Sequence, residues 1–177
     1  YADETSLAQF VGVYNVAINA VNLVYLALFA GALIARYGVR FGLMVNPAVD
    51  VLLVIAMITA GVVGGLQSVP FFFLAVGTRL IDIMFTDGTT RTSVNAVFQS
   101  LPPQERVGAQ TAVEGIGVPV AIGLTGVTLL IFNALPGVTL VHIALFALII
   151  CILWTVAAIV VGRGYGASLL KLMRRRS

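Results

Sequence analysis

Charge is scarce in this sequence. Of its 177 residues only 10 are Lys or Arg and 7 are Asp or Glu, so 10% are charged, whereas 60% are hydrophobic. A soluble globular domain has about 25% charged residues. This shortage excludes an ordinary water-soluble domain and predicts an integral membrane protein whose main partner is the lipid bilayer.

Cysteine and histidine are almost missing as well. One cysteine, Cys151, cannot form an internal disulfide, and one Cys with one His cannot build a zinc site. The sequence also lacks a nucleophile elbow, a phosphate-binding glycine loop with its lysine, and a haem motif. We therefore expect no metal, no cofactor and no enzymatic activity. The net charge of +3 comes from loops and the tail, so no nucleic-acid partner is expected either.

Long apolar runs fill the chain between short polar stretches. Runs such as 51–63 and 143–161 lack the alternation of barrel strands, which leaves α-helices as the means of crossing a bilayer. We predict an all-α bundle of about five transmembrane helices in residues 1–162, and a basic juxtamembrane tail over 163–177. The predicted helices cover 7–35, 41–65, 71–99, 106–133 and 139–161.

The positions of the basic residues predict the orientation. Arg36 and Arg40 follow the first helix and Arg106 begins the fourth, whereas the loops 66–70 and 133–138 contain no Lys or Arg. The positive-inside rule then places the N-terminus outside and the C-terminus in the cytoplasm, in the cell (plasma or inner) membrane. In the tail, anionic lipids are the predicted partners of four cations: Lys171, Arg174, Arg175 and Arg176.

The stretch from Gly31 to Arg40 resembles the cytoplasmic loop signature of the major facilitator superfamily, Gly-x-Leu-x-Asp-Arg-x-Gly-Arg-Arg/Lys. The matching residues are Gly31, Leu33, Arg36, Gly38 and Arg40, while Ala35 stands where the signature has Asp. The resemblance implies that the five helices correspond to helices 8–12 of a twelve-helix transporter. The remaining helices would then belong to the same chain or to another one.

A second stretch, residues 89–110, is similar to the nucleotide (ATP/ADP) translocase branch. Its helix ends in a Leu-Pro-x-x-x-Arg turn from Leu101 to Arg106, and the next helix has an early acidic residue, Glu114. The resemblance implies nucleotide transport, or transport of another small anionic solute, by alternating access. The alternative is a non-transporting membrane anchor or regulatory module fused to or partnered with another protein, which the substitution at Ala35 favours.

Three amides interrupt the first apolar run. Asn15, Asn19 and Asn22 fall within roughly a 60° stripe of a helix. One stripe faces one neighbour or one cavity, so the three side chains either line a transport path or hold helices together by hydrogen bonds. Both interpretations require all three to face protein or water.

The third predicted helix carries the strongest candidates. Arg79, Asp82 and Thr86 share one face, and Arg79 lies near the middle of the membrane, where a charge is costly. They are predicted transport-path residues, together with Glu114 of the fourth helix. The other interpretation of Arg79 and Asp82 is an ion pair that fixes helix register. Asp87 and Arg91, four residues apart, are predicted to be a structural pair.

Asp50 allows a simpler interpretation. If the second helix begins at Pro47 with Asn46 as its N-cap, Asp50 lies just past the first turn. It would then be at the membrane interface, favoured by the helix dipole and paired with Arg36 or Arg40.

Overall fold

The structure, a computed structural model, describes residues 4–174, with side chains described for 8–165. Every regular element in that range is helical, in agreement with the prediction from composition. Three π-helical segments, Leu26–Ala30, Thr86–Thr90 and Thr111–Gly117, each join two consecutive helices without a break. The helices are α1 (Glu4–Tyr25), α2 (Gly31–Gly64), α3 (Val69–Phe85), α4 (Arg91–Gln99), α5 (Pro103–Gln110), α6 (Val118–Ala134) and α7 (Leu140–Arg174).

Four continuous stretches in the described part are long and apolar enough to cross a membrane. They are Ala8–Gly64, Val69–Gln99, Pro103–Ala134 and Leu140–Tyr165. The first contains 57 residues. A straight helix of that length would be about 86 Å long, almost three times the hydrocarbon thickness of a bilayer. It includes both the first and the second predicted helix.

A single residue, Gly38, breaks this long stretch. Its φ of 81° and ψ of 171° are not helical, and only glycine adopts such a positive φ readily. The predicted turn over residues 36–40 is therefore reduced to one glycine, with helix on both sides. Gly38 belongs to the predicted loop motif, and a glycine suits this position because residues with a side chain rarely adopt its positive φ.

Before Gly38, α1 runs parallel to α3. Tyr14 Oη donates a hydrogen bond to the carbonyl oxygen of Val76 (3.0 Å), and Asn22 Nδ2 donates to Asp87 Oδ2 (3.1 Å). Residue numbers thus rise together along the two helices.

After Gly38, α2 runs antiparallel to α3. Asn46 contacts Thr86, whereas Met57, further along α2, contacts Thr78, which is earlier in α3. Because α1 and the later part of α2 run in opposite directions beside the same helix, the chain reverses at Gly38. Residues 8–37 and 39–64 therefore form a helical hairpin.

Along α2 lies α7, again antiparallel. Near one end Arg40 Nε donates to the carbonyl oxygen of Gly162 (2.7 Å), and deeper in the bundle Asp50 and Cys151 line one cavity. α7 continues past the predicted helix end at residue 161 and reaches Arg174 without a break. The predicted lipid-binding side chains Lys171, Arg174, Arg175 and Arg176 lie outside the described side chains.

The α5–α6 stretch packs at the edge of the bundle. Phe132 contacts Phe146 of α7 edge to face, with ring centroids 5.3 Å apart, and Val113 shares an apolar cavity with Trp154. Most other side chains from 111 to 134 are exposed. Since this stretch is almost wholly apolar, it has the surface of a helix surrounded by lipid or by further helices.

The connections use the expected start and stop residues. Gly65 and Gly137 have positive φ, which lets the chain leave a helix. Ser68 Oγ caps α3 by accepting from the backbone N–H of Phe71, and Pro103 begins α5.

The N-cap role predicted for Asn46 is wrong. The helix is already continuous from just after Gly38, so Asn46 and Pro47 lie inside α2 and not at its start. Both residues are fully buried. Proline is tolerated within transmembrane helices when neighbouring groups satisfy the freed backbone. Asp50 is consequently near the middle of a helix and not in its first turn.

Glycines bring the helices close together on both sides of the π-helical segment Thr86–Thr90. A Cβ on Gly42 would overlap Ser93 Oγ and lie 3.1 Å from the carbonyl oxygen of Thr89. A Cβ on Gly88 would lie 2.5 Å from Tyr25 Cε1. Small residues at helix contacts allow this backbone approach in membranes.

The Gly42 contact is testable by over-packing. Gly42→Val is expected to destabilise the bundle by about 1–3 kcal/mol, because the added atoms meet Thr89 backbone and Ser93. Gly77→Ala is the control, since a Cβ there meets nothing within 4 Å. Thermal unfolding in detergent measures both, and equal melting temperatures for the two variants would contradict the packing described here.

Candidate functional site

A chain of hydrogen bonds joins α2 to α3, and it runs from the buried Asn46 to the exposed Thr86 and Arg79. Asn46 Nδ2 donates to Thr86 Oγ1 (2.9 Å), and Thr86 Oγ1 donates to Asp82 Oδ1 (3.1 Å). Arg79 Nη1 lies 3.3 Å from the other carboxylate oxygen, Asp82 Oδ2. We call these four residues the polar chain. The predicted Arg79–Asp82 pair is present in the structure, and Thr86 connects it to α2.

Both helices are irregular where the polar chain crosses. Pro47 has no N–H, so the carbonyl of Leu43 lacks its usual helical donor. Opposite it, the chain widens into the π-helical segment Thr86–Thr90, which begins at Thr86 itself. π-Helical turns are frequent at functional sites because they redirect side chains and leave carbonyls without α-helical donors.

Asp50 follows Asn46 by one helical turn. Its exposure is only 7%, and its Oδ1 has no hydrogen-bond partner among the described residues. Asp50 lies beside a cavity of about 370 Å³ between α2, α3 and α7. The walls of the cavity also contain Val54, Met57, Ala75, Thr78, Arg79, Asp82 and Cys151.

The predicted pairing of Asp50 with Arg36 or Arg40 is wrong. Arg40 bonds to Gly162, and the Arg36 guanidinium lies 5.5 Å from the Tyr37 ring centroid. Helix length was the signal that could have placed Asp50, because it lies about halfway between Gly38 and the end of α2. Interpreting Pro47 as a helix start concealed that signal.

A second polar cluster joins α1 to the π-helical segment Thr86–Thr90 and the start of α4. Asn22, with 7% exposure, donates to Asp87 Oδ2, and Arg91 Nη1 lies 3.5 Å from Asp87 Oδ1. The predicted Asp87–Arg91 pair is therefore present. Through its additional hydrogen bond with Asn22, the pair holds α1 against the π-helical segment Thr86–Thr90.

The other predicted path residues lie apart from both clusters. Asn15 and Asn19 are exposed on this chain, and Asn19 Nδ2 donates to the backbone oxygen of Asn15 (2.8 Å). The inner side of α1 is formed by the neighbouring stripe of Tyr14, Ile18, Asn22 and Tyr25. Glu114 is exposed on the π-helical segment Thr111–Gly117. Of the three amides, the structure brings only Asn22 into the bundle.

The cavity has an unbalanced charge. Asp50 and Asp82 contribute two carboxylates, and Arg79 contributes one guanidinium. When all three are ionised, one negative charge remains without a partner. Among the described residues, no three His, Cys, Asp or Glu side chains are grouped so as to hold a metal ion.

Comparison with protein-family models, curated proteins and solved structures finds no match to this chain. The resemblance to the major facilitator superfamily in residues 31–40 and 89–110 therefore stays a prediction.

The central position of Thr86 in the polar chain can be tested with Thr86→Val. An average hydrogen bond between membrane helices contributes about 0.6 kcal/mol. Asn46 has 0% exposure, however, so removing its partner leaves a buried amide and should cost about 1–3 kcal/mol.

The matched control is Thr125→Val. Thr125 is exposed and its hydroxyl donates only to the Ala121 carbonyl of its own helix, so little change is expected. Melting temperatures in detergent decide the comparison. A loss at Thr125 as large as that at Thr86 would contradict the interhelical role of the hydroxyl.

Proposed function

We propose that this chain is part of a multi-pass membrane transporter of the major facilitator type. It would move a small solute by alternating access, with anionic and nucleotide-like solutes as the candidates. The supporting observation is the group of charged side chains around the cavity between α2, α3 and α7: Asp50, Arg79 and Asp82.

Membrane depth makes this group significant. Arg79 is ten residues from the start of α3, about 15 Å along the helix, which is half the thickness of the hydrocarbon layer. Asp50 is twelve residues after Gly38, about 18 Å along α2. Charged residues at such depths are costly and typically mark solute or ion pathways.

The exposure of Arg79 favours solute binding over a purely structural pair. Its side chain is 64% exposed on this chain, and among the described residues its one ion pair is with Asp82. A guanidinium at mid-depth must face water or protein and not lipid. An anionic solute in the cavity would find free donors there, since guanidinium groups bind carboxylates and phosphates in bidentate fashion.

We also propose five membrane crossings. The reversal at Gly38 divides the 57-residue stretch into two arms, and each of them is long enough to span a bilayer. With the other three long helices, this gives an external N-terminus and a cytoplasmic C-terminus in the cell membrane, as the basic residues predict. The exposed faces of α1 and of the α5–α6 stretch are then available to the remaining helices of a transporter.

A non-transporting membrane module is the second candidate function. Its support is the extent of internal pairing, because Asp87 contacts both Asn22 and Arg91, and Arg40 donates to the carbonyl oxygen of Gly162. Such a chain would anchor or regulate another protein. Uptake measurements distinguish this candidate from a transporter.

Arg79→Ala is expected to abolish uptake of labelled ADP and inorganic phosphate into liposomes that contain the intact protein, while insertion and folding survive. The reason is the loss of the one guanidinium that the described residues place at the cavity. Arg79→Lys should retain part of the activity, since it keeps the charge but not the fork of donors.

Arg91→Ala is the matched control, because Arg91 is on the same helical stretch, is 73% exposed and lies outside the cavity. Uptake should persist in this variant. Normal uptake by Arg79→Ala would refute the assignment of the site, and no uptake of any tested solute by the unmodified protein would favour the membrane module.

The five crossings predict the sidedness of three exposed positions. Single cysteines are introduced at Tyr37, Gln67 or Gln104 in a Cys151→Ala background, and intact cells are treated with an impermeant thiol reagent. We expect labelling at position 67 from outside, and labelling at 37 and 104 only after permeabilisation. Labelling of 37 and 67 from the same side would contradict a crossing between Gly38 and Gly65.

A further inference from the structure

We propose that the cavity beside Asp50 binds one monovalent cation, a proton or Na⁺, with Asp50 as the principal ligand. The proposal concerns Asp50 and Asn46, neither of which belongs to the predicted transport path. It depends on the proposed function for the idea that the cation drives transport, but binding of the cation can be measured without transport.

The first argument is the state of the Asp50 carboxylate. More than nine-tenths of the residue is buried, and Oδ1 has no hydrogen-bond donor among the described residues. Burying an ionised carboxylate without partners costs many kcal/mol, so such a group binds a proton or a cation. Asp50 borders the cavity, which gives an ion a route to it.

The second argument is a neighbouring oxygen that also lacks a partner. Asn46 is fully buried, and its amide nitrogen is fixed to Thr86, which leaves Oδ1 as an acceptor without a donor. Asn46 and Asp50 are four residues apart and therefore lie on one face of α2. Carboxylate and amide oxygens are the ligands that hard cations prefer.

The third argument is charge. The titratable and charged groups at the cavity are Asp50 from α2, Arg79 and Asp82 from α3, and Cys151 from α7. Arg79 bonds to Asp82 and neutralises it, so the charge of Asp50 is the one left over. One monovalent cation restores neutrality, whereas a divalent ion would leave an excess positive charge.

The position of Asp82 suggests how cation and solute would be coupled. Its Oδ2 contacts Arg79 and its Oδ1 accepts from Thr86, which itself accepts from Asn46. A cation bound between Asp50 and Asn46 would thus be connected to the guanidinium through three side chains. Filling the cation site would cancel the negative charge of Asp50 at the cavity, which removes its repulsion of an anionic solute bound to Arg79.

Cys151 provides a reporter that is already in place. It is the only cysteine of the chain, and it lines the same cavity. The experiment measures alkylation of Cys151 by N-ethylmaleimide and the melting temperature of the full chain in detergent. NaCl is compared with choline chloride at about 100 mM, so that ionic strength and screening are equal.

Two arms distinguish the two cations. If the ion is Na⁺, NaCl at about ten times its dissociation constant should slow alkylation about tenfold and raise the melting temperature, because the bound ion stabilises the folded state. If the ion is a proton, NaCl has no effect, and lowering the pH from about 8 to about 5 raises the melting temperature as Asp50 is protonated. Either result supports the site.

The variants show which carboxylate responds. Asp50→Asn should lose the response in both arms, and its alkylation rate over the same pH range corrects for ionisation of the thiol. Asp87→Asn is the matched control, because Asp87 lies in the π-helical segment after α3, outside the cavity, and bonds to Asn22. Cys151→Ala gives the background of alkylation.

The proposal is overturned if the unmodified chain responds to neither Na⁺ nor pH, a result that needs no variant to fold. It is also overturned if Asp50→Asn keeps the full response. Should Asp50→Asn fail to fold, Asn46→Ala replaces it and must weaken Na⁺ protection or shift the pH midpoint. Uptake data separate the cation site at Asp50 from the solute site at Arg79. If the cation response depends on Asp50 but Arg79→Ala takes up solute normally, only the solute site is refuted.

Discussion

The contact of α2 with α3 at Asn46 and Thr86 is the interaction on which the rest of the structure depends. Within a bilayer no water is available to satisfy an amide, so Asn46 fixes the separation and register of the two helices. Glycine at position 42 allows the backbones to approach, and α7 packs along the other side of α2. α2 thus connects the α1–α3 side of the bundle with the α7 side.

The sequence predicts much of this arrangement, for physical reasons. Apolar length predicts helices, and positive-φ glycines and prolines mark most of their ends. Arg79, Asp82 and Thr86 could be grouped because a helix face depends only on residue spacing, and the structure joins them directly. Asn15, Asn19 and Asn22 likewise lie along one stripe of α1, as their spacing predicts. The buried side of α1, however, is offset from it, and only tertiary packing determines that offset.

The contacts between helices could not be predicted, because they depend on which side chain of another helix each residue meets. Asn46, Pro47 and Asp50 form a good helix start by local rules, and those rules describe water-exposed helix ends. In α2 the same residues are inside the helix, where a neighbouring hydroxyl and a cavity replace the solvent. The identity of Thr86 as the partner of Asn46 is a fact of pairing between helices and leaves no local signal.

The π-helical segment Thr86–Thr90 has a mechanical consequence. A π-helical turn holds one residue more than an α-helical turn, so the helix beyond it is out of phase with the helix before it. Conversion of this segment to α-helix would turn the following residues by about 100° and shift them by about 1.5 Å along the axis. Thr86 would remain attached to Asp82, whereas Ser93 would rotate away from Gly42. The π-helical segment therefore sets the rotation of α4 relative to α3, and its conversion to α-helix would change that rotation.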